Sequence, residues 1–237
     1  ARLLYASNTY NINELNISLN IPDGYSVFLK NMSSDNYLYK KIGVSKDKVD
    51  EFMVQNRSLL YAIADGNPVE IYVNSPMNNA FKSIVDLNDY SDDEIKEITN
   101  EVRKKDLVLS KGLISNNSYV YRYNNVAYLV HDYSGNLSNN IGNKDHFFAR
   151  CYMTIKGHDF ILITLLKGFE PLNNVDYKIL QNVADSMVFL DPPKSIQRKD
   201  NIISSLESKE YSTANKDISK YSTVLPFNID FTQNKIL

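Results

Sequence analysis

Apolar and polar residues alternate over residues 15–21, with Leu15, Ile17, Leu19 and Ile21 on one side and Asn16, Ser18 and Asn20 on the other. That period of two predicts a β-strand. Pro22-Asp23-Gly24 interrupts the pattern and Tyr25, Val27 and Leu29 resume it, so the chain reads as strand, turn, strand. Ser45 then changes the period. Val49, Phe52, Met53 and Asn56 share a face at helical spacing, behind a serine suited to cap a helix N-terminus. β-rich runs follow at 59–64 and 69–73, divided by Asp65-Gly66-Asn67-Pro68, the composition of a hairpin loop. These four strands are expected to form the first half of one sheet.

Ser91-Asp92-Asp93-Glu94 is a capping-box sequence, in which the serine hydroxyl accepts from the amide three residues on and the glutamate reaches back. It predicts a helix with Ile95, Ile98 and Val102 as its apolar stripe and Arg103, Lys104 and Lys105 in its last turn. Asp92 and Asp93 read as acids at a helix N-terminus, since the segment lacks the glycine and terminal glutamate of a calcium loop. Strand patterns return at 119–123, 126–133, 147–155 and 160–166, with turns at Asn124-Asn125 and at 156–159 and a long polar loop at 134–145. Connections as short as these turns require antiparallel neighbours. Residues 160–166 are apolar on both faces, and such a strand must be covered on both. The expected fold class is therefore α+β, an antiparallel sheet with helices on both faces, with a two-sheet sandwich as its competitor.

Val175, Ile179, Leu180, Val183 and Met187 predict a closing helix over 175–187, and Asp191-Pro192-Pro193 ends regular structure. The expected organisation is one domain over 1–190 and an extended polar tail over 191–237. Within the tail, alternating Leu225, Phe227, Ile229 and Phe231 read as an extra strand at 224–231, added to the sheet or belonging to a following module.

Composition narrows the function classes. At 237 residues, 43% of them hydrophobic and 23% charged, the chain can bury a sizeable core without disulfides. Lys+Arg of 26 against Asp+Glu of 28 gives a net charge of −2, with no basic cluster able to track phosphates, so no nucleic-acid partner is expected. The longest apolar run, 160–166, is far short of the roughly 18 residues that cross a bilayer. A signal or membrane anchor removed upstream of Ala1 is the expectation for an extracytoplasmic or cell-surface protein. Cys151 is the only cysteine, which excludes an intrachain disulfide and a multi-cysteine metal site.

Candidate chemistry is sparse. His131 sits beside Asp132, but neighbouring residues of a strand point to opposite faces. His146 and His158 lack ligand partners at metal-binding spacing. Cys151 falls on the same face as Ala149 and Met153 and reads as an inert core thiol. No G-x-S-x-G, P-loop, G-x-G-x-x-G or H-E-x-x-H occurs, and no cofactor or metal is expected. The remaining candidates are aromatic. Tyr119, Tyr121 and Tyr123 project from one face of a strand, with Tyr128 and Tyr133 on its hairpin partner. They form either a binding surface or a face covered by a helix, with hydroxyls reaching the rim.

Ile21-Pro22-Asp23-Gly24-Tyr25 opens the domain and Ala184-Asp185-Ser186-Met187-Val188-Phe189 closes it. With the element order between them, the chain resembles the PsbP-like fold family, which includes the extrinsic photosystem subunit and a Ran-binding nuclear import factor. It is similar above all to uncharacterised bacterial surface or lipoprotein members. The resemblance covers roughly residues 10–190 and implies an α/β/α sandwich, no catalytic residue, and a non-catalytic binding or assembly module with an unknown protein partner. The binding candidates are Tyr119, Tyr121, Tyr123, Tyr128 and His131. The alternative is a small-molecule-binding or hydrolytic domain with a cleft near His131, His146 and the 134–145 loop.

Overall fold

Alternation along the chain resolves into strands that fold back on one another through short turns, and the computed structural model describes them over residues 6–30, 32–66, 69–75, 83–106, 113–138 and 144–190. Seven strands form the main sheet: β3 (Tyr25–Leu29), β4 (Ser58–Ala64), β5 (Val69–Asn74), β6 (Leu113–Tyr123), β7 (Val126–Ser138), β8 (Lys144–Lys156) and β9 (Asp159–Gly168). Their order across the sheet is β3-β4-β5-β9-β8-β7-β6, and every neighbouring pair is antiparallel. A second sheet holds β1 (Ser7–Ile12), β2 (Ile17–Pro22) and the two-residue β10 (Val188–Phe189), in the order β1-β2-β10.

Both faces of the main sheet are covered. On one face lie β2 and the helix α4 (Asn174–Asp185), whose Leu180, Val183 and Ala184 pack with Ile17, Leu19 and Ile21 against Ile71, Val130, Ile163 and Leu165. Burying one such aliphatic side chain contributes roughly 1.5–3 kcal/mol, and β2 anchors the small sheet with three of them, Ile17, Leu19 and Ile21. On the opposite face, α1 (Tyr37–Ile42) and α2 (Lys46–Gln55) cover β3 and β4 through Tyr39, Val49, Met53 and Phe28. Further along, α3 (Asp92–Asp106) sets Ile95 on Ala127, Leu129, Cys151 and Met153. The result is an α+β architecture with an antiparallel sheet between helical layers. β9 is buried from Phe160 to Gly168, as a strand apolar on both faces demands.

Local signals fix the helix starts. Ser45 accepts from Lys48 N–H, and Ser91 with Glu94 completes the capping box ahead of α3, each bonding the other's backbone N–H. Asn173 and Asp176 make a second box that begins α4. At Gly24, φ is +87°, a conformation that any side chain would strain.

Three expectations change. The strand at 15–21 does not join the main sheet. It begins at Ile17 after a one-turn 3-10 helix (Asn13–Leu15) and pairs with β1 and β10, because the turn at Asp23-Gly24 carries the chain from one sheet to the other. The 134–145 stretch is largely strand. β7 and β8 stay paired as far as Ser138 and Lys144, since main-chain hydrogen bonds need no apolar side chains. Residues 139–143, between them, lie outside the described residues, as does the strand expected at 224–231. Finally, β1 and α1 appear where no element was expected. None of the described helices is long and apolar enough to cross a membrane.

Candidate functional site

The tyrosines of β6 lie on the outermost strand of the main sheet, on the face covered by α4. Tyr121 pairs in register with Tyr128 of β7, their rings 6.2 Å apart, and Tyr152 of β8 meets both edge-on at 5.8 and 5.6 Å. Helix α4 ties these rings by their hydroxyls. Tyr128 donates to Ala184 O at 2.8 Å, Tyr121 donates to Asp185 Oδ1 at 2.7 Å, and Gln181 Nε2 donates to the Tyr121 oxygen at 3.0 Å. Tyr128 is only 1% exposed, while Tyr119, Tyr121 and Tyr123 are half-buried at the flank. Burial, and then the bond to Asp185, push the Tyr121 hydroxyl up to about 12. Burial likewise raises Tyr128. These groups therefore stay protonated as fixed donors.

The row runs into a partly buried ion pair. Arg150 of β8 binds Asp132 of β7 through two parallel bonds, Nε to Oδ1 at 2.6 Å and Nη2 to Oδ2 at 2.7 Å. Its guanidinium lies 3.8 Å over the Tyr177 ring of α4 and 5.7 Å from Tyr119. One strand further in, Lys167 reaches Asp176 of α4 at 3.4 Å and Glu170 at 3.5 Å. Burial, and then the charge of Asp176, raise Tyr25 to about 12. Neither charged pair was expected. The available signal was a basic residue, Arg150 or Lys167, at an inward position of an otherwise apolar strand.

His131 lies on the other face. Its Nδ1 is 2.6 Å from the Oγ of Ser118, its register partner on β6, and its ring stacks near Tyr133 at 6.4 Å. Asp132, next in sequence, turns away toward Arg150, as strand alternation requires. His146 packs edge-on against Phe148 at 4.6 Å, and His158 occupies a left-handed turn position between β8 and β9. The candidate residues thus divide. Tyr119, Tyr121, Tyr123 and Tyr128 come together beside α4, while His131 joins Ser118 behind them. No group of three His, Cys, Asp or Glu able to hold a metal ion occurs among the described residues. Burial raises the Cys151 thiol to about 11, against weaker opposing bonds from Thr164 and Tyr133.

One buried carboxylate escaped the sequence reading. Glu70 of β5 is 5% exposed and lies on the helix α2 face of the sheet, where its carboxylate accepts from Tyr61 at 3.0 Å and from Tyr72. Phe52 of α2 packs on both tyrosines, at 4.8 and 6.2 Å. Burial raises the Glu70 pKa, opposed by the two hydroxyls.

No protein-family model matches the chain, and no curated protein sequence matches it either. Among solved structures, the chain is similar to the cyanobacterial PsbP (CyanoP) of Synechocystis sp. PCC 6803, with a TM-score of 0.40 and 11% identity over 80% of this chain and 96% of that one. It is also similar to the Ran-binding protein Mog1p of Saccharomyces cerevisiae, with a TM-score of 0.38 and 8% identity over 79% and 97% of the two chains. A Pseudomonas aeruginosa protein of unknown function gives a TM-score of 0.33 and 10% identity over 77% and 96%. The first two are the kinds of protein that the sequence resemblance named.

Proposed function

We propose that the chain is a non-catalytic module that binds another protein, outside the cytoplasm or at the cell surface, through the tyrosine flank of β6. The supporting observation is the fixing of Tyr121 by Asp185 and Gln181 on the outermost strand, with half-buried Tyr119 and Tyr123 on either side. Aromatic side chains held in one rotamer offer large contact area at little entropic cost, which is how binding hot spots work. The extracytoplasmic setting is supported by the resemblance carried at 21–25 and 184–189. The test compares proteins retained by the immobilised wild-type chain with those retained by Tyr123→Ser, using Tyr121→Phe as a control for the hold on α4. The reading expects one partner whose retention falls at least tenfold in Tyr123→Ser at an unchanged melting temperature. Equal retention by the two chains would refute the surface.

A second reading rests on the Ser118–His131 pair. At 2.6 Å an imidazole can take the proton of a hydroxyl nucleophile, which is the start of hydrolytic catalysis. A fluorophosphonate probe that labels the wild type, but neither Ser118→Ala nor His131→Ala, would establish it. An unlabelled wild type would end it.

A further inference from the structure

Two buried oxygens stand without a donor where the end of α2 meets the start of β4. Asn56, which closes α2, is 2% exposed, and Asn74, the last residue of β5, is 1% exposed. Asn56 Nδ2 donates to Phe52 O at 2.8 Å, and Asn74 Nδ2 donates to Asn56 O at 2.6 Å and to Ser58 Oγ at 3.2 Å. Those donations fix both amides. Exchanging oxygen and nitrogen in either one would set two oxygens against each other at hydrogen-bond distance. Asn56 Oδ1 and Asn74 Oδ1 are therefore true acceptors, and among the described residues nothing donates to them. Buried polar atoms are seldom left so, because an unmade bond costs more than a made one gains.

The backbone departs from regularity at the same place. Arg57 is left-handed, with φ +50°, and the β4–β5 ladder slips between Ser58, opposite Asn74, and Leu60, opposite Val73. Leu59 is thus an extra residue, and such a bulge bends the strand and disrupts the ladder beside the two oxygens. The cluster consists of two amides and a hydroxyl, a neutral set of hard oxygens. A cation held in a protein site usually takes six or more oxygens, carboxylates among them. Water needs fewer partners and carries two hydrogens, one for each orphan oxygen.

We infer that Asn56, Asn74 and Ser58 form a binding site for one internal water molecule, which donates to Asn56 Oδ1 and Asn74 Oδ1 and joins the end of α2 to the β4–β5 hairpin. The site lies one helical turn from Phe52, whose carbonyl Asn56 holds and whose ring packs on Tyr61 and Tyr72. The water therefore belongs to the framework that sets those two tyrosines on Glu70.

The experiment is a water–protein NOE measurement on the full chain, deuterated and 15N-labelled. The inference expects cross-peaks, with the sign of the slowly tumbling protein, between water and the side-chain amide hydrogens of both Asn56 and Asn74. Their absence overturns it. Replacing sodium chloride by potassium or choline chloride at constant ionic strength should leave the melting temperature unchanged, and a rise selective for one alkali cation overturns water in favour of an ion. Asn74→Leu should abolish the cross-peak at Asn56, and its persistence there would place the water elsewhere. Should that variant fail to fold, the wild-type NOE and the cation exchange decide the question alone.

Discussion

Replacing Glu70 by glutamine should stabilise the protein at neutral pH, and the gain should vanish in acid. Glu70 is an inward residue of β5, and no lysine or arginine pairs with it among the described residues. Its two tyrosine donors favour the charged form, yet burial outweighs them and the carboxyl pKa rises above its ordinary 4.5. Between that value and the raised one the native state holds a proton that the unfolded chain has released, so stability falls as pH rises through this window and levels off above it. Each unit by which the folded value exceeds the unfolded one corresponds to about 1.4 kcal/mol. Glutamine fills the same space and has nothing to titrate. Its oxygen accepts one tyrosine hydroxyl, and the other hydroxyl rotates to accept from the amide nitrogen. Glu70→Leu is the contrasting change, since it strands the hydroxyl of Tyr72, itself 1% exposed, at about 1–3 kcal/mol. Urea unfolding of the wild type and Glu70→Gln from pH 4.5 to 8 measures the difference, in which all other carboxylates cancel. A difference that is flat, or that turns against glutamine as pH rises, would refute the reasoning, because it would mean that the two hydroxyls stabilise the charge more than burial opposes it.

Tyr128→Phe removes the bond to Ala184 O, but that carbonyl keeps the Met187 N–H as a second donor, so the loss should be about 1 kcal/mol, read as a lower urea midpoint at unchanged slope. Cys151, 1% exposed with its thiol raised to about 11, should react with Ellman's reagent only as fast as the chain unfolds, and stoichiometric reaction within minutes in native buffer would contradict its placement.

The parts of the fold that the sequence made legible are those in which a side chain reports its own surroundings. Period-two alternation located β2 and β3, β-rich apolar runs located β4, β5 and β9, and the Ser91–Glu94 box located α3, because face, residue type and cap are local properties. Partnership is not local. Nothing in Ile17, Leu19 and Ile21 says that their strand pairs with β1 and β10 and not with β3, and β1 itself, Ser-Asn-Thr-Tyr-Asn-Ile, has no apolar rhythm and is held by its ladder. In the same way, β7 and β8 outrun their apolar stretches because backbone pairing continues through polar residues.

The candidate site divides along the same line. That Tyr119, Tyr121 and Tyr123 share a face follows from their spacing, but that the hydroxyls of Tyr121 and its register partner Tyr128 end on α4 follows only from where a helix some 60 residues later comes to rest. The polar residues that interrupt the apolar strands converge on that helix. Lys167 meets Asp176, Arg150 lies over Tyr177, Tyr121 takes Gln181 and Asp185, and Tyr128 takes the Ala184 carbonyl. These contacts run the length of α4 and fall on the side that packs against the sheet, so they set the helix's register as well as its depth. An apolar face alone tolerates sliding, whereas a bidentate ion pair capped by a ring and two directed hydroxyls does not. The exposure of the tyrosine flank is thus decided by the docking of α4, and any change in that docking would alter the surface that β6 presents.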